Sequence, residues 1–252
     1  MDLLIATFNT ILYRPLFNIL VLFYQYIPGR DFGLAVIVLT ILIKLIFYPL
    51  GIRAIKSQRE LSKLQPKIKE IQEKYKDNKE EQSRELIALY KKEKINPLSG
   101  CLPLLIQFPV LIALYRVFWR GLQPEQMVLL YSFIPNPGLI NPNFLGIVDL
   151  SQPNTILAVI AGVFQFLQVK LAIPKQNPSS KKDDSFSGHL QKQMQYFMPI
   201  FMVVILLRLP SAIGLYWICG TAFTIAQQYV ILKKKNGAGK FAKNQRNNQR
   251  VF

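Results

Sequence analysis

Long apolar runs separated by short polar or charged segments set the pattern of this chain. They cover residues 32–52, 97–119, 154–173, 195–209 and 212–232. A helix rises about 1.5 Å per residue, so about 20 apolar residues cross a hydrocarbon core of about 30 Å. The first three runs reach that length and are read as membrane spans 1, 2 and 3. The last two flank Arg208, Leu209, Pro210 and Ser211. Pro210 cannot continue a helix, so 195–209 and 212–232 are read as spans 4 and 5 of a tight helical hairpin.

Residues 1–31 carry a different pattern. Asn9, Arg14-Pro15, Asn18 and Gln25 interrupt the apolar residues, and the clean run Leu16–Tyr24 is too short to cross. The mixture predicts an N-terminal amphipathic helix lying in the membrane interface, turned into span 1 by Pro28-Gly29-Arg30-Asp31. An additional crossing here is the alternative. With no basic start and no small-residue cleavage site, the segment does not read as a secretory signal.

Between spans 1 and 2, residues 53–96 are polar but periodic. Leu61, Leu64, Ile68, Ile71 and Tyr75 repeat at helical spacing. Lys76-Asp77-Asn78-Lys79 reads as a turn, and Leu86, Ile87, Leu89 and Tyr90 form a second, shorter stripe. The pattern predicts a two-helix hairpin whose first arm Pro66 starts or bends. A self-packed hairpin with a solvated face and a docking surface for a basic-seeking partner both fit it.

Composition explains why these runs belong in a bilayer. The chain has 252 residues, 51% of them hydrophobic, yet a formal charge of +17. A small soluble fold could not enclose so much apolar surface, and a disordered basic protein would be far less apolar. The basic residues are also segregated. Residues 53–96 hold thirteen Lys and Arg against eight acids, and residues beyond 232 hold seven and no acid. The loop 174–194 adds Lys175, Lys181, Lys182 and Lys192, whereas 120–153 holds only Arg120. Cytoplasmic loops carry the excess of basic residues. The expectation is therefore an all-α membrane protein with five transmembrane helices, N-out and C-in. The hairpin 53–96, the loop 174–194 and the tail 233–252 are expected inside, and the loop 120–153 outside.

Candidate chemistry is sparse. Cys101 and Cys219 lie in apolar runs, and His189 has no second histidine nearby, so no metal site or cofactor is expected. No phosphate loop, H-E-x-x-H or G-x-S-x-G occurs, and the chain is not read as an enzyme. Polarity inside the spans is more informative. Lys44 sits about 10 Å into span 1, counted from a boundary near residue 51 at the helical rise. Thr40 and Tyr48 lie four residues to either side. Gln107, Gln165, Gln168, Thr221, Thr224 and Gln227 add polar groups from other spans. One buried amide is ordinary helix glue, but several around one cation suggest a hydrated cavity.

These residues also carry a family resemblance. Leu64-Gln65-Pro66-Lys67-Ile68, Leu86-Ile87-Ala88-Leu89-Tyr90 and the run from Asn96 through Gly100-Cys101-Leu102-Pro103 to Gln107-Phe108-Pro109 resemble the YidC family of membrane protein insertases. So do Pro210-Ser211 and Gly214-Leu215-Tyr216-Trp217, and the match extends over about 32–231. The resemblance implies five spans, N-out, and delivery of hydrophobic nascent segments into the bilayer without a nucleotide. It implies a groove open to cytoplasm and lipid, marked by a basic residue that is usually arginine. Alignment on Tyr48-Pro49-Leu50 puts that residue at Lys44 rather than Arg53, and places Gln168 and Trp217 on the groove wall. Cys219-Gly220 stands where Ser-Asn is common.

The expected groove set is therefore Lys44, Thr40, Gln107, Gln168, Trp217 and Thr221. Lys67, Lys74 and Lys76 of the hairpin, with Lys233, Lys234 and Lys235 of the tail, are expected to dock the nascent chain or ribosome. For the tail, topology charge alone is an equal alternative. The Sec translocon and the lipid bilayer are the other expected partners, and the expected location is a bacterial plasma (inner) membrane, multi-pass. The form expected is minimal, without a large extracellular domain or lipidated leader. Readings from other classes are a small channel or transporter with a polar cavity, or a membrane-tethered ribosome-binding adaptor.

Overall fold

A computed structural model describes residues 2–96, 102–172 and 193–248. The order begins with α1 (Asp2–Phe8), a π-helical turn at Asn9–Tyr13 and α2 (Arg14–Tyr26). A short 3-10 turn leads to α3 (Phe32–Ile46), then α4 (Tyr48–Lys74), α5 (Lys79–Lys92) and α6 (Leu102–Arg120). A small antiparallel pair follows, β1 (Asn143–Phe144) with β2 (Val148–Asp149). The chain continues through α7 (Thr155–Ala172), a π turn at Gln193–Phe197, α8 (Met198–Leu206) and α9 (Ser211–Asn248).

The helix expected to run unbroken over 32–52 ends early. Phe47 leaves helical geometry, and α3 and α4 meet there at a bend of 68°. Pro49 explains the position: it has no N–H to extend the helix, but costs nothing in the first turn of a new one. Pro66 behaves differently, since α4 runs through it as one helix of 27 residues. Beyond the turn, the Asn78 side chain accepts from Glu81 N at 3.1 Å and starts α5. Gln82 ties the two arms together by donating to Gln72 O at 2.9 Å.

Residues 2–26 form a continuous helical segment. Of the polar residues that interrupt its apolar pattern, Asn9 meets Arg116 of α6, and Arg14, Asn18 and Gln25 are spent on the loop after α6. Asn18 donates to Leu129 O and accepts from Tyr131 N, Tyr13 donates to Gln126, and Gln25 donates to Pro135 O. The buried face of α2, including Phe17, Leu20, Val21 and Tyr24, packs on α3. The rings of Tyr24, Phe32 and Phe118 then follow edge to face, with centroids 6.5 and 6.1 Å apart.

Loop 120–153 is folded tightly onto these helices. Asp31 caps α3 through Leu34 N at 2.8 Å and also accepts from Leu145 N. A Cβ on Gly33 would come within 2.1 Å of the Phe144 ring, so only glycine lets β1 lie against α3. At the other end of the loop, Gln152 O and Leu150 O accept from Ser211 N and Ala212 N. Those are the first, otherwise unpaired, N–H groups of α9.

Among the described residues, two helical stretches are long and apolar enough to cross a membrane, Leu3–Tyr26 and Thr155–Ala172. The bent pair α3–α4 makes a third if it counts as one span. α6 and α9 are long, at 19 and 38 residues. The stretch Gln195–Leu206 is apolar but shorter. The molecule is an all-α membrane protein.

Candidate functional site

The bend at Phe47 turns α4 across the ends of α6, α7 and α9, and a cavity of about 290 Å³ lies in the angle. Lys44, on the last turn of α3, projects into it beside Gly51 and Gln58 of α4. Gln107 comes from α6, Gln165 and Gln168 from α7. The α9 wall runs from Tyr216 and Trp217 past Gly220, Thr221 and Thr224 to Gln227 and Gln228. From Tyr216 to Gln228 the helix rises about 18 Å.

Many polar groups of the wall are already paired. Trp217 Nε1 donates to Gln165 at 2.9 Å, and Gln107 donates to the Tyr216 hydroxyl. Thr224 returns its hydroxyl to Gly220 O at 2.9 Å, and Gln227 donates to Tyr48 O at 3.1 Å. These bonds hold the wall in shape. Two groups are not paired: Gln228 has a buried Oε1 without a hydrogen-bond partner, and Lys44, half-buried, meets no carboxylate among the described residues, whose ion pairs all lie in the hairpin. Such a cation attracts an anion or a carbonyl dipole more strongly than it would in bulk water.

Of the residues expected in a groove, Lys44, Gln107, Gln168, Trp217 and Thr221 border this one cavity, with Gln165, Thr224 and Gln227. Thr40 does not. It is fully buried one turn behind Lys44, its hydroxyl donating to Val36 O at 2.6 Å. Tyr48 is carried away by the bend and packs edge to face on Phe223 at 6.3 Å. Gln58, Tyr216 and Gln228 line the cavity but were not in the expected set. The Gln227-Gln228 doublet was a usable signal, since a second amide beside the first widens the polar face.

The expected docking lysines are scattered. Lys67 is paired with Glu93, whose carboxyl that hydrogen-bonded ammonium holds below its ordinary range. Lys74 lies 5.1 Å over the Tyr75 ring, and Lys76 is exposed. Lys233, Lys234 and Lys235 fall in the continuation of α9, and their side chains lie outside the described residues, as do Cys101, His189 and residues 174–192 of the polar loop. Cys219 is a free, half-buried thiol. No group of side chains suited to a metal occurs among the described residues.

Comparison with known proteins gives the family of the chain. The family description "60Kd inner membrane protein" matches residues 22–238. A relative from Fusobacterium nucleatum, named membrane protein insertase YidC, is 36% identical over 204 residues, covering 81% of this chain and 87% of that protein. Proteins of the same name from Syntrophus aciditrophicus and Nitratidesulfovibrio vulgaris (strain DP4) are 38% and 34% identical over 222 and 221 residues. Those matches cover 87% and 88% of this chain, which spans only 36% and 38% of the two longer relatives. With the family matched over most of its length, the chain belongs to the YidC family of 60 kDa inner membrane proteins.

Proposed function

We propose that this chain is a membrane protein insertase that receives hydrophobic segments of nascent membrane proteins and releases them sideways into the lipid bilayer. The observation that carries the reading is the unpaired Lys44 in a cavity walled by amides and hydroxyls. The reading takes α3, α6, α7, α8 and the first half of α9 as five spans, N-out and C-in. In it α1–α2 lies along the outer interface, bonded to the 120–153 loop, and the α4–α5 hairpin is cytoplasmic. The host membrane is a bacterial inner membrane.

The energetics say what such a groove must do. A substrate span of about 20 apolar residues gains about 6–12 kcal/mol in lipid. Its polar outer tail opposes entry, at about 3 kcal/mol per charge near the bilayer centre. Lys44 supplies a counter-charge partway along the path, and the amides replace water around the tail. Nothing in this needs a covalent step. Gln168, Trp217, Gln107 and Thr221 act as the wall of the groove, with Thr40 behind them. The hairpin residues Lys74 and Lys76 and the tail residues Lys233, Lys234 and Lys235 receive the nascent chain or the ribosome, with or without a Sec translocon.

Depletion and rescue with a single-span, N-out substrate tests the reading. Wild type and Lys44→Arg restore insertion, whereas Lys44→Ala and Lys44→Glu reduce it. Rescue by all four removes the counter-charge mechanism, and failure of the wild type removes the insertase assignment.

A further inference from the structure

The outer end of α6 carries a second cation that the groove does not use. Arg116 lies under the π turn, its guanidinium 5.8 Å from the Phe8 ring centroid and 4.7 Å from that of Tyr13. One of its nitrogens donates to Asn9 at 2.7 Å. A guanidinium has five N–H donors, so most of this one remains unspent. Arg120 follows one turn later, exposed, and both arginines bear electrostatically on the Tyr13 phenol.

Neither arginine meets a carboxylate among the described residues. Of the acids on this side, Asp31 caps α3 and holds Leu145 N, Asp149 holds Ser151, and Glu125, exposed in the turn after α6, makes no ion pair with either arginine. The face of α6 leading to the pair is apolar and exposed. Leu105, Phe108 and Ile112 are 65%, 60% and 41% exposed and recur at helical spacing, and Trp119 beside the arginines is 53% exposed. From Leu105 to Arg116 the helix rises about 16 Å, close to the roughly 15 Å of one leaflet's hydrocarbon. Indoles prefer the level of the headgroups, which is where this places Trp119.

We infer that Arg116 and Arg120 form a binding site for the headgroup of an anionic phospholipid in the leaflet on the 120–153 side, its acyl chains lying along the Leu105–Phe108–Ile112 stripe. The inference rests on the reading of α6 as a span. The aromatic rings on Arg116 fix the guanidinium in place, so the phosphate meets donors already oriented. The site would tether a lipid beside the insertase and hold the N-terminal helix at headgroup level.

The test uses the full chain reconstituted in phosphatidylcholine nanodiscs containing a minor fraction of phosphatidylglycerol. A Trp217→Phe background leaves Trp119 as the single indole. Its quenching by brominated phosphatidylglycerol is compared with quenching by brominated phosphatidylcholine. A preference for the anionic lipid is expected, falling about fivefold in Arg120→Gln, from about 1 kcal/mol per basic residue at an anionic surface. The cation stacked on the Phe8 and Tyr13 rings is Arg116, so this variant keeps that packing. Equal quenching by the two lipids, or a preference unchanged in Arg120→Gln, overturns the inference. Inorganic phosphate at tens of millimolar is expected to leave the preference intact; its loss would assign the site to free phosphate instead of lipid. The readout is lipid proximity and not insertion, so the insertase reading and this one fail separately.

Discussion

A Cβ built on Gly220 would sit 3.0 Å from Cε of Lys44 and 3.6 Å from its ammonium nitrogen. The lysine stem therefore lies against bare backbone of α9. Gly220→Ala would push a flexible side chain aside without breaking a hydrogen bond, so the fold survives and the cation moves. Insertion of a substrate with an acidic tail is expected to fall about fivefold, an overpacking cost of about 1 kcal/mol at the low end. A neutral-tailed substrate should insert as before, and equal loss for both tails would contradict a positioning role.

Gln227 reaches across from α9 to the carbonyl of Tyr48 at the start of α4, and Gly51 lies beneath its amide, 2.9 Å from a would-be Cβ. Gln227→Leu removes a bond that ties α9 to the first turn of α4. The expected loss is about 1 kcal/mol in denaturant unfolding. Spin labels on the hairpin and on loop 120–153 should report a broader distance distribution, because the bend has lost its clamp.

Acid should loosen the hairpin. The Lys67 ammonium lowers the Glu93 pKa in the folded chain, so this contribution is complete above the ordinary carboxylate pKa and is lost as pH falls through the lowered one. Hydrogen exchange of α4 and α5 in the full chain is expected to accelerate below about pH 4.5. Lys67→Ala should show the faster exchange at neutral pH and respond less to acid.

α7 and α8 approach closely because Gly162 has no side chain; a Cβ there would come within 2.3 Å of Val203. Gly162→Ala is expected to destabilise the pair by about 1–3 kcal/mol, and Val203→Ala in the same chain to restore part of it. Strictly additive unfolding free energies in that double-mutant cycle would show that the two residues do not share a contact.

Much of the cavity could be read from the sequence because amides in apolar runs are conspicuous. Gln107, Gln168 and Thr221 stood out that way and converge here. Thr40 stood out equally and misled, since a threonine on a helix can return its hydroxyl to the carbonyl four residues back, as Thr40 does to Val36. Asn18 and Gln25 read as interruptions of an apolar helix, but their partners are a hundred residues away on a loop with no regular period. Arg116 escaped notice because its neighbours, Phe8, Asn9 and Tyr13, come together only through the π turn. Pro49 and Pro66 look alike as letters. One ends up in the first turn of a new helix, the other inside it.

The bend at Phe47 also sets a gear ratio. α4 is 27 residues long, about 40 Å of stiff rod hinged at one end beside Lys44. Each degree of rotation at the hinge sweeps its far end by about 0.7 Å, by the arc of that rod. A shift of a few degrees, too small to disturb the cavity wall, would carry the hairpin tip several ångströms.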